Sequence, residues 1–585
     1  CILAHKVLYK MNILYVTFLL CFQKLYAIKA AEPEVCIEAL GCVEGVNVAG
    51  LEGQQYEAFY GIPYAQPPIG ELRFKNPLPA EHWQHKLMVK EPKPECIQFN
   101  VIAPTPYISG EEDCLYLNVY RPKNPTADKL PILFYIHGGG LFSGSINPLF
   151  HGPEYFMQTN EIILVLPAYR LGPFGFLSSG DEHIAGNYGL KDQSIALKWV
   201  HQHINAFGGD PSRVTISGHS AGSVSAHLHM FSPASKDLFR NAILMSGVGN
   251  SPFARLTIDQ RAVVDKLATA AGITNAEKMP SNELAAALRT VPAMDLVKAG
   301  GALKVWDVHP FVNFRPNLED ESWPEPFMTR NLFQLTRSVN MPQTVPWIGG
   351  SMLSTGEGTV MALKLVSDPV LQAEFNKNFD EHFTLVLELS GTKNTGKVDE
   401  IIERLVAEYM GGVRELNKDT MDGFLALLGD AYFTHPLYRT IAADLNSGAG
   451  AAHSLTGALQ FVYRGPYTFS QFFTGSSKDY GAVHVDDMLY LFGMPLLIPN
   501  GLPKSSAEYE IMKKYVGLYV EYAKNGNVEI FTKIGPCTIE SFERSDGSGI
   551  CDYLSIANGT EPFKVEHTWN VARMQLWDYV DKTLF

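Results

Sequence analysis

Ser220 stands in Gly218-His219-Ser220-Ala221-Gly222, between a β-branched run, Val214-Thr215-Ile216, and a helix-capable segment from Val224 to Met230. Strand, sharp turn, helix is the order of a nucleophile elbow; glycines let the backbone crowd there while the hydroxyl projects outward. Chance can produce the pattern in a chain with 50 glycines, and the competing reading is a Gly-rich surface turn. The chemistry suggested is acyl transfer, which needs an activated nucleophile, a base, an orienting acid and donors for an oxyanion. His137-Gly138-Gly139-Gly140 supplies candidate donors, directly after the apolar run Ile132 to Ile136. Consecutive glycines let backbone N–H groups face a cavity without side-chain interference. A glycine loop after one strand and an elbow after a later one are jointly far more specific than either alone.

The elements that must hold these groups are legible in outline. Val43 to Val48 and Gln55 to Gly61 read as short strands, and Leu115 to Tyr120 alternates as a strand with one exposed face should. Ile132 to Ile136 and Ile162 to Leu166 are continuous apolar runs, expected of strands buried on both faces of a mostly parallel sheet. Apolar residues between Leu190 and Phe207 recur at helical spacing until Gly208-Gly209-Asp210-Pro211 stops them. Ala242 to Met245 is a further strand, so the order predicts an α/β sheet. Leu256 to Asn446 is mainly helical, broken by a strand at Val345 to Met352, and such insertions cap pockets. Leu459 to Tyr463 resumes strand character, and Ala507 to Lys524 is a long helix. With no internal repeat or linker, one large domain is expected.

The chain has 585 residues, 46% hydrophobic and 18% charged, with a formal net charge of -14. This composition is globular, and its acidity argues against nucleic-acid binding, which needs a basic surface. Met11 precedes an apolar run, Ile13 to Phe22, too short to span a bilayer and suited to a signal peptide. Residues 1–10 are expected to be upstream sequence, 11–30 the leader, and 31–585 the catalytic domain of a secreted protein with no stable membrane anchor. Ala27, Ala30 and Ala31 offer cleavage sites. Removing the leader leaves Cys36, Cys42, Cys96, Cys114, Cys537 and Cys551, an even set with 15 possible connectivities. None has the paired spacing of a zinc site, and no metal or cofactor is expected. Asn558-Gly559-Thr560 is a glycosylation sequon, whereas Asn124-Pro125-Thr126 is blocked by its proline. The sequence leaves the oligomeric state open.

Several stretches together resemble the type-B carboxylesterase and cholinesterase family of α/β-hydrolases, across essentially the whole mature chain. They include Phe59-Tyr60-Gly61-Ile62-Pro63-Tyr64-Ala65, Glu112-Asp113-Cys114-Leu115-Tyr116-Leu117-Asn118-Val119 and Gly186-Asn187-Tyr188-Gly189-Leu190-Lys191-Asp192-Gln193. The motifs look most like secreted insect esterases of the juvenile-hormone-esterase and β-esterase groups. The resemblance implies Ser220 as nucleophile and the amides of Gly139, Gly140 and Ala221 as the oxyanion hole. It maps the base to His484, in Gly481-Ala482-Val483-His484-Val485-Asp486-Asp487, and the orienting acid to Glu357, in Ser354-Thr355-Gly356-Glu357-Gly358. The family commonly has an acidic residue where Gly356 stands and a glycine that here is displaced to Gly350. His183, His227 and His229, outside any such motif, read as surface or satisfied core residues.

The resemblance also implies buried ion pairs of Arg73 with Glu112 and Arg170 with Asp192, and a Cys96–Cys114 disulfide. Cys36–Cys42 and Cys537–Cys551 follow only from proximity in the chain. Leu141 and Phe253 are expected in the substrate pocket. Many relatives carry Trp at the position of Phe253, so Phe there leaves room for bulkier acyl groups, unless it is ordinary core packing. The Cys96 to Cys114 loop lacks the Trp with which cholinesterases bind choline, so the expected substrates are uncharged carboxylic esters. Juvenile hormone esterases typically have Gln where this chain has His219. The competing functions are juvenile hormone ester hydrolysis proper, a non-catalytic adhesion or sequestering protein, and a lipase working at interfaces.

Overall fold

Eleven strands form the central sheet, and its middle is built from the apolar runs that cannot face water on either side. The computed structural model describes residues 31–100, 102–103, 105–255, 259–332, 345–389, 394–446, 454–534, 552–567 and 569–585. In chain order the strands are β1 (Val46–Ala49), β2 (Gln55–Pro63), β3 (Tyr116–Pro122), β4 (Leu130–Ile136), β5 (Ile163–Pro167) and β6 (Gly209–His219). There follow β7 (Asn241–Met245), β8 (Trp347–Ser351), β9 (Leu455–Phe461), β10 (Tyr553–Ile556) and β11 (Phe563–Glu566). Across the sheet they lie in the order β11-β10-β9-β8-β7-β6-β4-β5-β3-β2-β1. From β10 to β5 every neighbouring pair is parallel, and the two margins are antiparallel.

Period-two alternation sorts β4 cleanly. Ile132, Phe134 and Ile136 enter one apolar cluster, while Leu133 and Tyr135 enter the other. Helices α1 (Tyr188–His203) and α2 (Ala221–His229) pack into the first cluster through Leu197, Val200, Val224 and Leu228. After β8 comes α3 (Ser354–Ala362), against which α4 (Met421–Gly429) packs; a π-helical turn, Asp430–Thr434, links α4 to α5 (His435–Asn446). Helix α6 (Ala507–Asn525) covers the opposite face with Ile511, Tyr515 and Tyr519. Helices therefore lie on both faces, as the sequence predicts.

Two expectations about the strands are corrected. The stretch Val43 to Val48 is two strands. Gly41–Glu44 pairs with Glu34–Ile37 in a separate small sheet, and β1 edges the main one. Gly45 marks the break, where a Cβ would lie 2.4 Å from the Ala58 carbonyl oxygen. Strand β3 has no wholly exposed face, because Asn118 is buried and its amide is used internally. It accepts from the Gly61 N–H at 2.9 Å and donates to the Ile146 carbonyl at 3.0 Å. The short strands β10 and β11 went unanticipated; at four residues each they carry little periodicity.

The ion pairs implied by resemblance are present: Arg73 with Glu112 (Nε–Oε2 2.7 Å) and, fully buried, Arg170 with Asp192 (Nε–Oδ2 2.8 Å). Disulfides join Cys36 to Cys42 and Cys96 to Cys114. Residues 1–30 and the Cys537–Cys551 pairing lie outside the described residues.

Candidate active site

Strand β6 ends at His219 and α2 begins at Ala221, so the reversal falls on Ser220 alone, at φ 58° and ψ −127°. Such a conformation is costly for a residue with a Cβ and persists only where its surroundings enforce it. Here they do: the Ser220 N–H donates to the Met245 carbonyl at 2.9 Å, and its own carbonyl accepts from Val224 at 3.0 Å. Gly218 and Gly222 are sterically required. A Cβ on Gly218 would meet the Gly222 carbonyl carbon at 2.3 Å, and one on Gly222 would meet the Ile136 oxygen at 2.0 Å.

That second contact joins the elbow to the end of β4, where the glycine loop starts. A Cβ on Gly138 would lie 3.2 Å from Ser220 Cβ, so the two turns are in direct apposition. Gly139 (φ 106°) and Gly140 (φ 63°) adopt left-handed backbone, and their amides donate to no group among the described residues. Ala221 opens α2, where first-turn N–H groups have no intrahelical acceptor. The His137 ring stacks on Tyr169 (4.4 Å between centroids), whose hydroxyl donates to the His137 carbonyl at 2.8 Å, anchoring the loop's start.

Glu357 lies in the first turn of α3 and is fully buried. Its Oε2 receives His484 Nδ1–H at 2.6 Å; Oε1 accepts from the Ser246 hydroxyl at 2.6 Å and the Met352 N–H at 2.8 Å. Burial alone would raise its pKa, but the His484 charge and these donors bring it below the usual carboxylate value. Burial lowers the His484 pKa, opposed by the Glu357 charge and hydrogen bond. An ionised Glu357 can only accept, so Nδ1 carries the proton and Nε2 is left with its lone pair. Gly356 is explained locally: a Cβ there would fall 2.0 Å from the Ala482 oxygen, and its carbonyl accepts the His484 N–H at 3.2 Å. An acidic side chain at 356 has no room.

Ser220, His484, Gly139 and Gly140 line one cavity of about 220 Å³. Phe253, Phe311, Phe433, Phe469, Phe472 and Phe473 form much of its apolar wall, and no tryptophan is among the lining residues. Phe253 stacks on Tyr432 in the π-helical turn (6.4 Å), and Phe433 of that turn lies 4.8 Å from the His484 ring. Leu141 does not reach this cavity. It is wholly buried in the core at φ 64°, its carbonyl held by the Gly172 N–H at 2.8 Å, so the loop turns its side chain away.

Sequence reasoning missed the phenylalanine cluster, whose only signal was Phe469-Ser470-Gln471-Phe472-Phe473. It also missed a second histidine–carboxylate pair in the site: His219 Nε2 is 3.3 Å from Asp487 Oδ1, both buried, with the His219 and His484 rings 4.7 Å apart. The 3.3 Å contact lacks hydrogen-bond alignment, so it is a looser pair than His484–Glu357. His227 and His229 are satisfied core residues. Gly249 N–H donates to His227 Nδ1 at 2.9 Å, while His229 bonds Ser235 at 2.6 Å and Gln193 at 3.0 Å; His183 is exposed. Asn558 is exposed, its side-chain amide donating to the Arg464 carbonyl at 2.9 Å.

A mostly parallel sheet with helices on both faces and an elbow at the end of a central strand is the α/β-hydrolase fold. Residues 31–568 match the Carboxylesterase family, and the chain belongs to it. It is 34% identical over 556 residues to "Juvenile hormone esterase" of Tribolium castaneum, covering 92% of each chain. It is 32% identical over 552 residues to "Carboxylic ester hydrolase" of Bombus ignitus, covering 93% of each. The crystal structure of juvenile hormone esterase from Manduca sexta, with OTFP covalently attached, is similar at TM-score 0.77 and 26% identity, over 94% of this chain and 100% of that one. The chain is a carboxylic ester hydrolase.

Proposed function

We propose that this enzyme hydrolyses uncharged carboxylic esters through Ser220, His484 and Glu357, by way of an acyl-enzyme. The observation that carries the reading is the 2.6 Å His484–Glu357 bond beside a cavity that Ser220 and the glycine loop also line. His484 Nε2 takes the Ser220 proton as the hydroxyl oxygen bonds to the ester carbonyl carbon. The resulting oxyanion is received by the amides of Gly139, Gly140 and Ala221. The C–O bond to the alcohol then breaks and His484 returns its proton to the leaving oxygen. Water, deprotonated by the same imidazole, attacks the acyl-enzyme and releases the acid. Glu357 holds the tautomer and stabilises the imidazolium, remaining ionised throughout. The phenylalanine wall suits apolar acyl and alcohol groups and gives a permanent cation no tryptophan face. Phe253 is a pocket residue in this reading.

Stoichiometric labelling by an organophosphate, followed by identification of the modified peptide, tests the assignment. A label on Ser220 with loss of turnover is expected, and full labelling elsewhere overturns it. A second reading, hydrolysis of juvenile hormone itself, is favoured by the two relatives of that name. It requires kcat/KM for the hormone to exceed that for simple esters of equal bulk.

Export is part of the proposal: residues 1–10 precede the start, 11–30 form a signal peptide, and 31–585 are the secreted catalytic domain, glycosylated at Asn558. The two disulfides favour an oxidising compartment. No helix among the described residues is long and apolar enough to cross a membrane. N-terminal sequencing of secreted protein should read from near Ala31; retention of Met11 removes this part.

A further inference from the structure

Behind the glycine loop lies a second cavity of about 230 Å³, which shares Gln98 and Phe311 with the active-site cavity. The partition between the two is aromatic. Phe142 meets Phe311 edge to face at 5.5 Å, and it packs so closely on Gly140 that a Cβ there would lie 2.4 Å from its ring. Gln98 ties the partition to the loop's far end, donating to the Gly144 carbonyl at 2.9 Å and accepting its N–H at 2.8 Å.

The chamber is mostly apolar, lined by residues including Val297, Val308 and Phe314, yet it contains a lysine. Lys304 Nζ donates to the carbonyls of Pro310 (2.7 Å) and Phe311 (3.1 Å). An ammonium has three donors, so one remains for another acceptor. Lys304 forms no ion pair with any described residue. The neighbouring Glu388 is spent on Arg315, at 2.7 Å, and Asp307, also in the lining, stands beyond ion-pair distance. Burial lowers the Lys304 pKa to about 8, which still leaves it mostly charged at neutral pH. A partly buried cation with a donor to spare and no ion-paired carboxylate among the described residues, at the wall of an apolar chamber, is complementary to an amphipathic anion.

We propose that this chamber is a second binding site, for an apolar monocarboxylate whose head pairs with Lys304 and whose chain lies along Val297 and Phe314. Its occupant presses on Phe142 and thereby on Gly140, so binding is coupled to ester turnover. The carboxylate has two sources, the acid released by the enzyme itself and a fatty acid from outside; the chemistry recognised is the same.

Decanoate is the probe, with decanol as its uncharged counterpart. Enzyme whose active site is blocked by an organophosphate should still bind one decanoate by titration calorimetry, and decanol at least ten-fold more weakly. Lys304→Met should weaken decanoate by at least ten-fold while keeping full organophosphate titre and acetate-ester turnover, and Lys304→Arg should restore it. Decanoate added during acetate-ester hydrolysis should show a non-competitive component, absent in Lys304→Met; this arm reads the outside acid. Progress curves on a decanoate ester, which should bend early only in the wild type, read the enzyme's own product. No decanoate bound to the blocked wild-type enzyme overturns the site, as does equal affinity in Lys304→Met. If the organophosphate instead labels a residue other than Ser220, the proposed triad fails separately. The second site is then read from decanoate binding to untreated enzyme and its dependence on Lys304.

Discussion

Ser220, His484 and Glu357 lie after three different strands, β6, β9 and β8, and each is held by specific hydrogen bonds. Ser220 is held by the backbone, His484 by Glu357, and Glu357 by Ser246 and Met352. Ser220→Ala should leave Tm unchanged and lower kcat by about 10⁴-fold or more in an ester turnover assay. Glu357→Gln keeps the shape but removes the charge, and should cost roughly 10³–10⁴-fold in kcat. The pH profile gives an independent check. Because burial dominates at His484, its pKa lies below the ordinary 6.5. The neutral base therefore persists below that pH, and kcat/KM should fall only on further acidification. In Glu357→Gln the charge that opposes burial is gone, so the acid limb should move to still lower pH. A limb centred above 6.5, or one moving upward in the variant, would contradict this account.

At the scale of elements, the site is where four strand ends meet. The turn after β4 carries the glycine loop, the turn after β6 carries Ser220, Ser246 follows β7, and Glu357 sits on α3 just after β8. Glycines at 218, 222 and 356 are what allow these turns to touch, each having a backbone atom where a Cβ would stand. Gly356→Ala should destabilise the fold by about 1–3 kcal/mol, as overpacking does. It should also lower kcat, because the loop that would be displaced is the one bearing Ala482 and His484. Chemical denaturation and kcat measured on the same sample check both, and an unaffected kcat would separate α3 from the site. Strands β4 to β9 were readable because apolar runs bounded by glycine allow few alternatives. The short margins β1, β10 and β11 were not, since at four residues each they carry too little periodicity to register.

At the scale of the molecule, the two apolar clusters on either side of the sheet also bury several histidines in neutral form. Burial holds His137 at about 4, and His151, His227, His229 and His309 at about 3, against an ordinary 6.5. Below pH 6.5 the unfolded chain takes up protons that the folded one refuses, so stability falls with falling pH. Each such group contributes up to about 1.4 kcal/mol per pH unit over that interval. Tm measured from pH 7.5 down to 4.5 should be flat above 6.5 and then drop steeply; a flat profile throughout would mean these histidines titrate normally.

Local sequence determined the strand runs, the elbow and the glycine loop, because a β-branched run ending in glycines leaves the backbone little choice. Resemblance of motifs supplied His484 and Glu357, which no local pattern would have singled out among 17 histidines and 61 acidic residues. Only the tertiary structure decided that Leu141 faces the core rather than the cavity, and that Gly356 is excluded from carrying any side chain by a carbonyl more than a hundred residues away. It alone brought His219 to Asp487, and Phe142 against Phe311. Such facts depend on which distant surfaces are pressed together. Periodicity and spacing describe a segment's own preferences and contain nothing about the neighbour that will meet it.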